Sequence, residues 1–392
     1  MQNKFFLTEK LPQYIFAKIN ELKVAARNNG VEIIDFGMGN PDLPPPNHVM
    51  EKLSKLMLDG SLYGYSISGG ILQLKQAFCS YYQRRFNVNL DADSESLVTI
   101  GAKEGIASLS SAIADSDNYI CIATPAYPIH NFGYILARSN VVQIPAISAN
   151  DYLKKFKYFV NKVQKKPQAV IVSYPCNPTG ETASLEFYQE MVDFCKKHQI
   201  YIISDLAYCE VYFNEADKPH SVLEIQGAKD IAIEFSSLSK SFSMPGCRVG
   251  FAAGNKDLIA ALAKVKSFLD YGSFNAVQLA AIDALSDRSD EYLKNMRKTY
   301  KERADFTVDI LRKELAWNID KPKASMFIWT KFPEKFSNLS SMQFCEKLIN
   351  ECQVAFTPGS AFGENGEGFV RISLIHNEEN IRKVAKYLKK IF

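Results

Sequence analysis

The chain has 392 residues, more than a single hydrophobic core usually serves, so one large domain with a smaller companion is the expected layout. Its 46 Lys and Arg nearly balance 43 Asp and Glu, and a net charge of +3 gives no electrostatic basis for binding nucleic acid or a membrane surface. At 47% hydrophobic and 23% charged the composition is that of an ordinary globular protein, without the run of about 18 apolar residues that a bilayer span requires.

The opening residues 1–9 become charged too soon for a secretory signal. Residues 5–29 are predicted as an extended lead-in and an amphipathic helix with Ile15, Ile19, Leu22 and Ala26 on one face. A short strand over 32–36 runs into Gly37-Met38-Gly39-Asn40-Pro41-Asp42-Leu43-Pro44-Pro45-Pro46, where two glycines allow close backbone approach and four prolines forbid a helix. That loop is either a stiff linker or a place where the Gly39 amide meets a substrate carboxylate. A helix over 47–58 precedes Tyr63-Gly64-Tyr65-Ser66-Ile67-Ser68-Gly69-Gly70, whose tyrosines suit an interface or a ligand better than a core. Residues 71–86 are helical again.

From residue 97 apolar runs alternate with helical stretches. The runs at 97–100, 119–123, 141–145, 169–173, 200–204, 231–235 and 249–253 are continuous rather than alternating, which implies a mostly parallel sheet covered on both faces. Ligands of such sheets sit beyond the carboxyl ends of the strands, so the residues just after each run carry the chemistry. After Ile100, Gly101-Ala102-Lys103 starts a helix whose N–H groups favour an anion. After Ala123, Tyr127 offers a flat ring between Pro125 and Pro128. After Ser173, the turn Tyr174-Pro175-Cys176-Asn177-Pro178-Thr179-Gly180 either simply redirects the chain or presents the Asn177 amide. After Ser204, Asp205 closes an apolar strand, where an acid is costly unless a cation accepts it, and Tyr208 follows.

The densest signal follows residue 235. Between Ser236 and Arg248 stand five serines, including Ser237 and Ser239, together with Lys240 and Gly246. Hydroxyls and a guanidinium can all donate to phosphate oxygens while the lysine amine remains a nucleophile, the pattern for a phosphorylated aldehyde held as a Schiff base. Cys247, next to Arg248, reads as a buried filler thiol rather than a reactive one. Beyond 254 come a helix to about 271, a long charged helix over 289–313, strands at 324–330, 353–358 and 369–374, and a closing helix over 378–391, together a small α+β domain. The eight cysteines form no CxxC pair, consistent with reduced thiols in a cytoplasm, and the five histidines fall at no ligand spacing, so no metal is expected.

A pyridine bearing an aldehyde and a phosphate needs an acid for its ring nitrogen, a donor for its ring oxygen, a flat group on its face and donors for its phosphate. With these strand ends the chain resembles the fold type I, class I/II aminotransferases dependent on pyridoxal 5'-phosphate, over nearly its whole length. The resemblance implies a seven-stranded α/β cofactor domain over 45–275 and a small α+β domain formed by 276–392 with the 1–44 arm. It also implies a homodimer in which Tyr65 reaches the neighbouring site. Residue by residue it implies Lys240 as the amine joined to the cofactor and Asp205 on the ring nitrogen. Tyr208 and Asn177 fall on the ring oxygen, Tyr127 on the ring face, and residues 101–103, Ser237, Ser239 and Arg248 on the phosphate. Arg371, Gly39 and Asn177 fall on the substrate. Ala102 stands where many relatives carry Ser. The runs Leu11-Pro12-Gln13-Tyr14-Ile15-Phe16 and Gly101-Ala102-Lys103-Glu104-Gly105 look most like bacterial glutamate–pyruvate transaminases. Aspartate or LL-diaminopimelate transamination and a C–S β-lyase remain alternatives, and either Lys103 or Arg138 could meet a side-chain carboxylate.

Overall fold

Apolar stretches of four to six residues, too short for stable helices, assemble in this computed structural model into a seven-stranded sheet; residues 5–9, 11–12 and 15–392 are described. Of the N-terminal run cited above, Gln13 and Tyr14 lie outside the described residues. The strands in chain order are β1 (Ile34–Asp35), β2 (Ser96–Thr99), β3 (Tyr119–Thr124), β4 (Asn140–Pro145), β5 (Ala169–Ser173), β6 (Tyr201–Asp205), β7 (Ala232–Ser237), β8 (Gly250–Gly254), β9 (Phe327–Lys331), β10 (Val354–Ala355), β11 (Thr357–Pro358) and β12 (Phe369–Ser373). The large sheet has the order β2-β8-β7-β6-β5-β3-β4. Only β8 runs against its neighbours; all other pairs are parallel.

Successive side chains of a strand point to opposite faces, and here both faces are apolar. Ile120, Ile122, Ile171, Ile203 and Ile233 meet Ile106 and Leu109 of the helix Ala102–Ile113 and Leu258 and Leu262 of the helix Lys256–Leu269. The intervening Cys121, Val170, Val172 and Ile202 belong to the core on the other face, with Phe78, Tyr82, Phe156 and Met191. Fully burying one such aliphatic or aromatic side chain contributes about 1.5–3 kcal/mol, so the two-faced core outweighs any local preference.

The C-terminal part forms an antiparallel sheet, β11-β12-β9. The strand predicted over 32–36 contracts to β1, because the Asp35 carboxylate accepts the Gly37 N–H at 2.9 Å and turns the chain. β1 pairs in parallel with β10 and ties the N-terminal segment to this part. The run 353–358 is two strands in different sheets rather than one, since Val354 and Ala355 pair with β1 while Thr357 and Pro358 pair with β12. The lead-in expected to be extended contains a helical turn, Phe6–Glu9, closed by the Glu9 N–H on the Phe5 carbonyl. Among the described residues no helix is long and apolar enough to cross a membrane.

Candidate active site

The carboxyl ends of the parallel strands and the start of β8 share one edge of the large sheet. Register shows why. Ser237 at the end of β7 and Thr99 at the end of β2 both face Gly250, and Ser173, Asp205 and Phe235 lie abreast across β5, β6 and β7. A cleft of about 520 Å³ opens over this edge, lined among others by Ala102, Lys103, Tyr127, Asn177, Asp205, Tyr208, Ser237, Ser239, Lys240, Arg248, Gly39 and Arg371. Gly101 adjoins it as the N-cap of the helix that begins at Ala102.

Lys240 belongs to the short helix Leu238–Ser241, capped by the Ser237 hydroxyl, which accepts the Ser239 N–H at 3.1 Å. Its amine donates to the Gly39 carbonyl at 2.5 Å. Burial, with the positive charges of Arg371 and Arg248 adding to it, lowers its pKa to about 8. At Gly101, φ is +79° and an added Cβ would lie 2.3 Å from the Arg248 guanidinium, so only glycine lets that cation approach the helix start. Arg248 donates to the carbonyls of Pro245 and Ile100 at 2.9 and 3.1 Å, which aims its fork at the helix start.

At the other end Arg371, on the middle strand β12, is 3% exposed. It donates to Asn177 Oδ1 at 2.9 Å and to the Gly37 carbonyl at 2.8 Å, while the Phe327 ring lies 4.0 Å beneath the guanidinium. Since arginine only donates, the Asn177 oxygen is committed to it, leaving that amide's Nδ2 as a donor toward the cleft. Gly39 has no room for a side chain: an added Cβ would meet the Phe327 ring at 2.6 Å. Burial drives the Tyr208 phenol's pKa upward, so it remains a donor at any physiological pH.

His130, Phe327 and Thr357 were not singled out from sequence. His130 Nε2 contacts Asp205 Oδ2 at 2.8 Å with both residues buried, and the Ala207 N–H reaches Oδ1 at 3.2 Å. Asp205 therefore stays ordered on the cleft floor. His130 occurs in the run after β3, but nothing in local spacing points it at residue 205. Of the two candidates for a side-chain carboxylate, Lys103 lines the cleft and Arg138 does not. Tyr65 is 87% exposed, packed on Tyr271 at 4.6 Å, and lines no part of the cleft of its own chain. Cys247, expected to be buried, is only half-buried, and that partial burial raises its thiol's pKa.

The residues fit a phosphorylated pyridine aldehyde. A buried amine of lowered pKa, a carboxylate on the floor, a phenol and an amide as donors, and a helix start beside Arg248 with no space for a Cβ at Gly101 are the groups such a molecule requires.

A model of the aminotransferase class I and II family matches residues 31–388. Relatives include the putative aminotransferase AatC of Rhizobium meliloti, 43% identical over 99% of this chain and 95% of that protein. The glutamate-pyruvate aminotransferase AlaC of Escherichia coli is 39% identical over 100% and 94%, and the LL-diaminopimelate aminotransferase of Maridesulfovibrio salexigens 41% over 97% of each. The substrate-bound structure of BacF from Bacillus subtilis superposes with a TM-score of 0.92 at 33% identity, covering 100% of this chain and 98% of that one. The chain therefore belongs to the class I and II aminotransferases and is a pyridoxal 5'-phosphate-dependent enzyme.

Proposed function

We propose that the enzyme moves an amino group between alanine and 2-oxoglutarate, forming pyruvate and glutamate, and runs the reverse. The observation that carries this reading is the cleft's wall: Phe16, Ala17, Met38, Ile129, Pro245 and Phe327 leave an apolar space suited to a methyl side chain, with Lys103 the cation at its rim. Lys240, Arg248 and Arg371 have other tasks, so Lys103 is the group available to a glutamate γ-carboxylate. Similarity to AlaC over the whole chain supports the same reading. Similarity to LL-diaminopimelate aminotransferases favours a second one, in which Lys103 serves a longer polar substrate.

When bound, the cofactor supplies an aldehyde that takes the amino group and a ring that delocalises the electrons released at the substrate α-carbon. Lys240 would hold that aldehyde through its amine and would move the proton at the substrate α-carbon; its pKa of about 8 suits a base working near neutrality. Asp205, held by His130, would keep a positive charge on the ring nitrogen. Tyr208 and Asn177 Nδ2 would donate to the ring oxygen, and Tyr127 would cover the ring face. The backbone N–H groups of residues 101–103, with Ser237, Ser239 and Arg248, would hold the phosphate, leaving the Lys103 side chain free for the γ-carboxylate, and Arg371 with Gly39 would orient the α-carboxylate.

The same proposal divides the chain into a cofactor domain, 45–275, and a small domain of 276–392 with the 1–44 arm. It pairs two copies through the exposed apolar face that includes Tyr65, Ile67, Phe268, Leu269 and Tyr271, so that Tyr65 reaches the neighbour's phosphate. Cytoplasmic residence belongs to it too; all eight cysteines are free thiols.

Amino donors assayed in half-reactions, each followed by pyruvate or 2-oxoglutarate, test the substrate choice. Alanine and glutamate are expected to react fastest. Preference for LL-diaminopimelate or aspartate would replace this reading with the second, and pyruvate plus ammonia released from cystathionine without any oxoacid would make the enzyme a lyase.

A further inference from the structure

Lys266, on the inner side of the helix Lys256–Leu269, has no exposed side-chain surface, and no step above uses it. Its ammonium lies 3.0 Å from Glu104 Oε2 and 2.8 Å from Asp270 Oδ2. A well-packed apolar residue would cost less in such a place, so what distinguishes the lysine is what it does to its partners.

Both partners also hold backbone at the anion-binding end of the cleft. Glu104, in the first turn of the helix Ala102–Ile113, accepts the Ile100 N–H at 2.7 Å and the Ser108 hydroxyl at 2.6 Å, fixing the residue just before Gly101. Asp270 accepts the Gly272 N–H at 2.7 Å. Gly272 has φ +76°, and an added Cβ would lie 2.5 Å from the Ile67 carbonyl, in the loop that carries Tyr65. The next residue, Ser273, donates its hydroxyl to the Arg248 carbonyl at 3.1 Å. The helix start, the Arg248 turn and the Tyr65 loop thus converge on one ammonium. Charge acts in the same direction: without Lys266, two partly buried carboxylates would stand near a site for an anion, and their repulsion would add to the loss of position.

We propose that Lys266 is a positioning residue for the phosphate end of the cofactor site, holding residues 101–103 and Arg248 in place through Glu104 and Asp270 while touching no cofactor atom itself. The inference rests on assigning those residues to the phosphate.

The test compares full-length wild type with Lys266→Met. Each is equilibrated with graded pyridoxal 5'-phosphate and, separately, with graded pyridoxal, the same aldehyde without a phosphate, and the bound chromophore is measured. Leaving these partly buried carboxylates without their shared cation should weaken binding of the phosphorylated aldehyde roughly tenfold, with pyridoxal binding changed less than about twofold. Glu104→Gln, which keeps the Lys266–Asp270 pair, should lower the same ratio of affinities, and it decides the matter alone where Lys266→Met does not fold. An unchanged ratio in every variant that folds, or equal loss for both aldehydes, overturns the proposal. Arg248→Ala separates the two assignments. A ratio unmoved there shows the phosphate site itself to be misassigned, whereas a ratio that falls there but not at Lys266 or Glu104 removes only the positioning role.

Discussion

Lys240→Met should make the cofactor-free protein more stable, although it destroys the site. The folded amine loses its proton at about pH 8, against 10.5 for an ordinary lysine, first because it is buried and then because Arg371 and Arg248 repel it. Between those pH values the unfolded chain binds more protons than the folded one, so stability rises with pH across that window. Below about pH 8 the folded state carries the whole penalty, which at 1.36 kcal/mol per pH unit is about 3 kcal/mol. Methionine has similar length and no charge. With an unfolding entropy of about 2.1 cal/mol/K per residue over the chain, the variant should melt roughly 4 °C above wild type at pH 7. The gap should narrow to less than half by about pH 9.5. Calorimetry of both proteins, stripped of cofactor and in phosphate-free buffer at the two pH values, reads this directly. A variant that melts at or below wild type at pH 7, or a gap that widens with pH, would refute the reasoning. The penalty has a chemical counterpart: about one amine in ten is neutral at pH 7, against fewer than about one in a thousand for an ordinary lysine, so the nucleophile is ready before the aldehyde arrives.

Arg371→Gln removes charge-assisted donors worth about 1.5–3 kcal/mol each, so kcat/KM for α-amino acids should fall on the order of a hundredfold. Half-reaction rates with a primary amine that lacks a carboxylate should be unchanged. Gly39→Ala must push the Phe327 ring from under Arg371, since the new Cβ would sit 2.6 Å from it. Overpacking of this kind costs about 1–3 kcal/mol and should raise KM for oxoacids more than it lowers kcat. In Asp205→Asn the amide can still meet His130 and Ala207, so the fold and bound chromophore should persist, whereas the half-reaction rate should drop about 10²- to 10³-fold, the range for losing one preorganised electrostatic group. Normal half-reaction rates with Asn at that position would remove the acid from the mechanism.

What the sequence discloses is what each strand must do for itself. Burial on two faces leaves uninterrupted apolar runs, and an acid that closes one, as Asp205 does, or a lysine among hydroxyls, as Lys240 is, stands out against them. Contacts across the fold leave no such mark. His130 meets Asp205 across 75 residues, Asn177 meets Arg371 across 194 and Gly37 meets it across 334, separations that local periodicity cannot register. Strand direction is equally silent, because an apolar run reads the same either way, and in this protein direction decides whether the site exists. β7 delivers Lys240 at its carboxyl end; β8 then returns antiparallel, with Gly250 beside Ser237. Arg248 precedes β8 by two residues and therefore falls at the same edge as the amine. Were β8 parallel, its five residues would carry that starting point to the opposite edge, roughly 16 Å away at about 3.3 Å per residue. The connection over 238–249 is only at the lower limit for a crossover, which needs a dozen or more residues and usually a helix, and the single α-helix it contains, Leu238–Ser241, is one turn long, so the chain returns like a hairpin. That return brings lysine and arginine into one cleft.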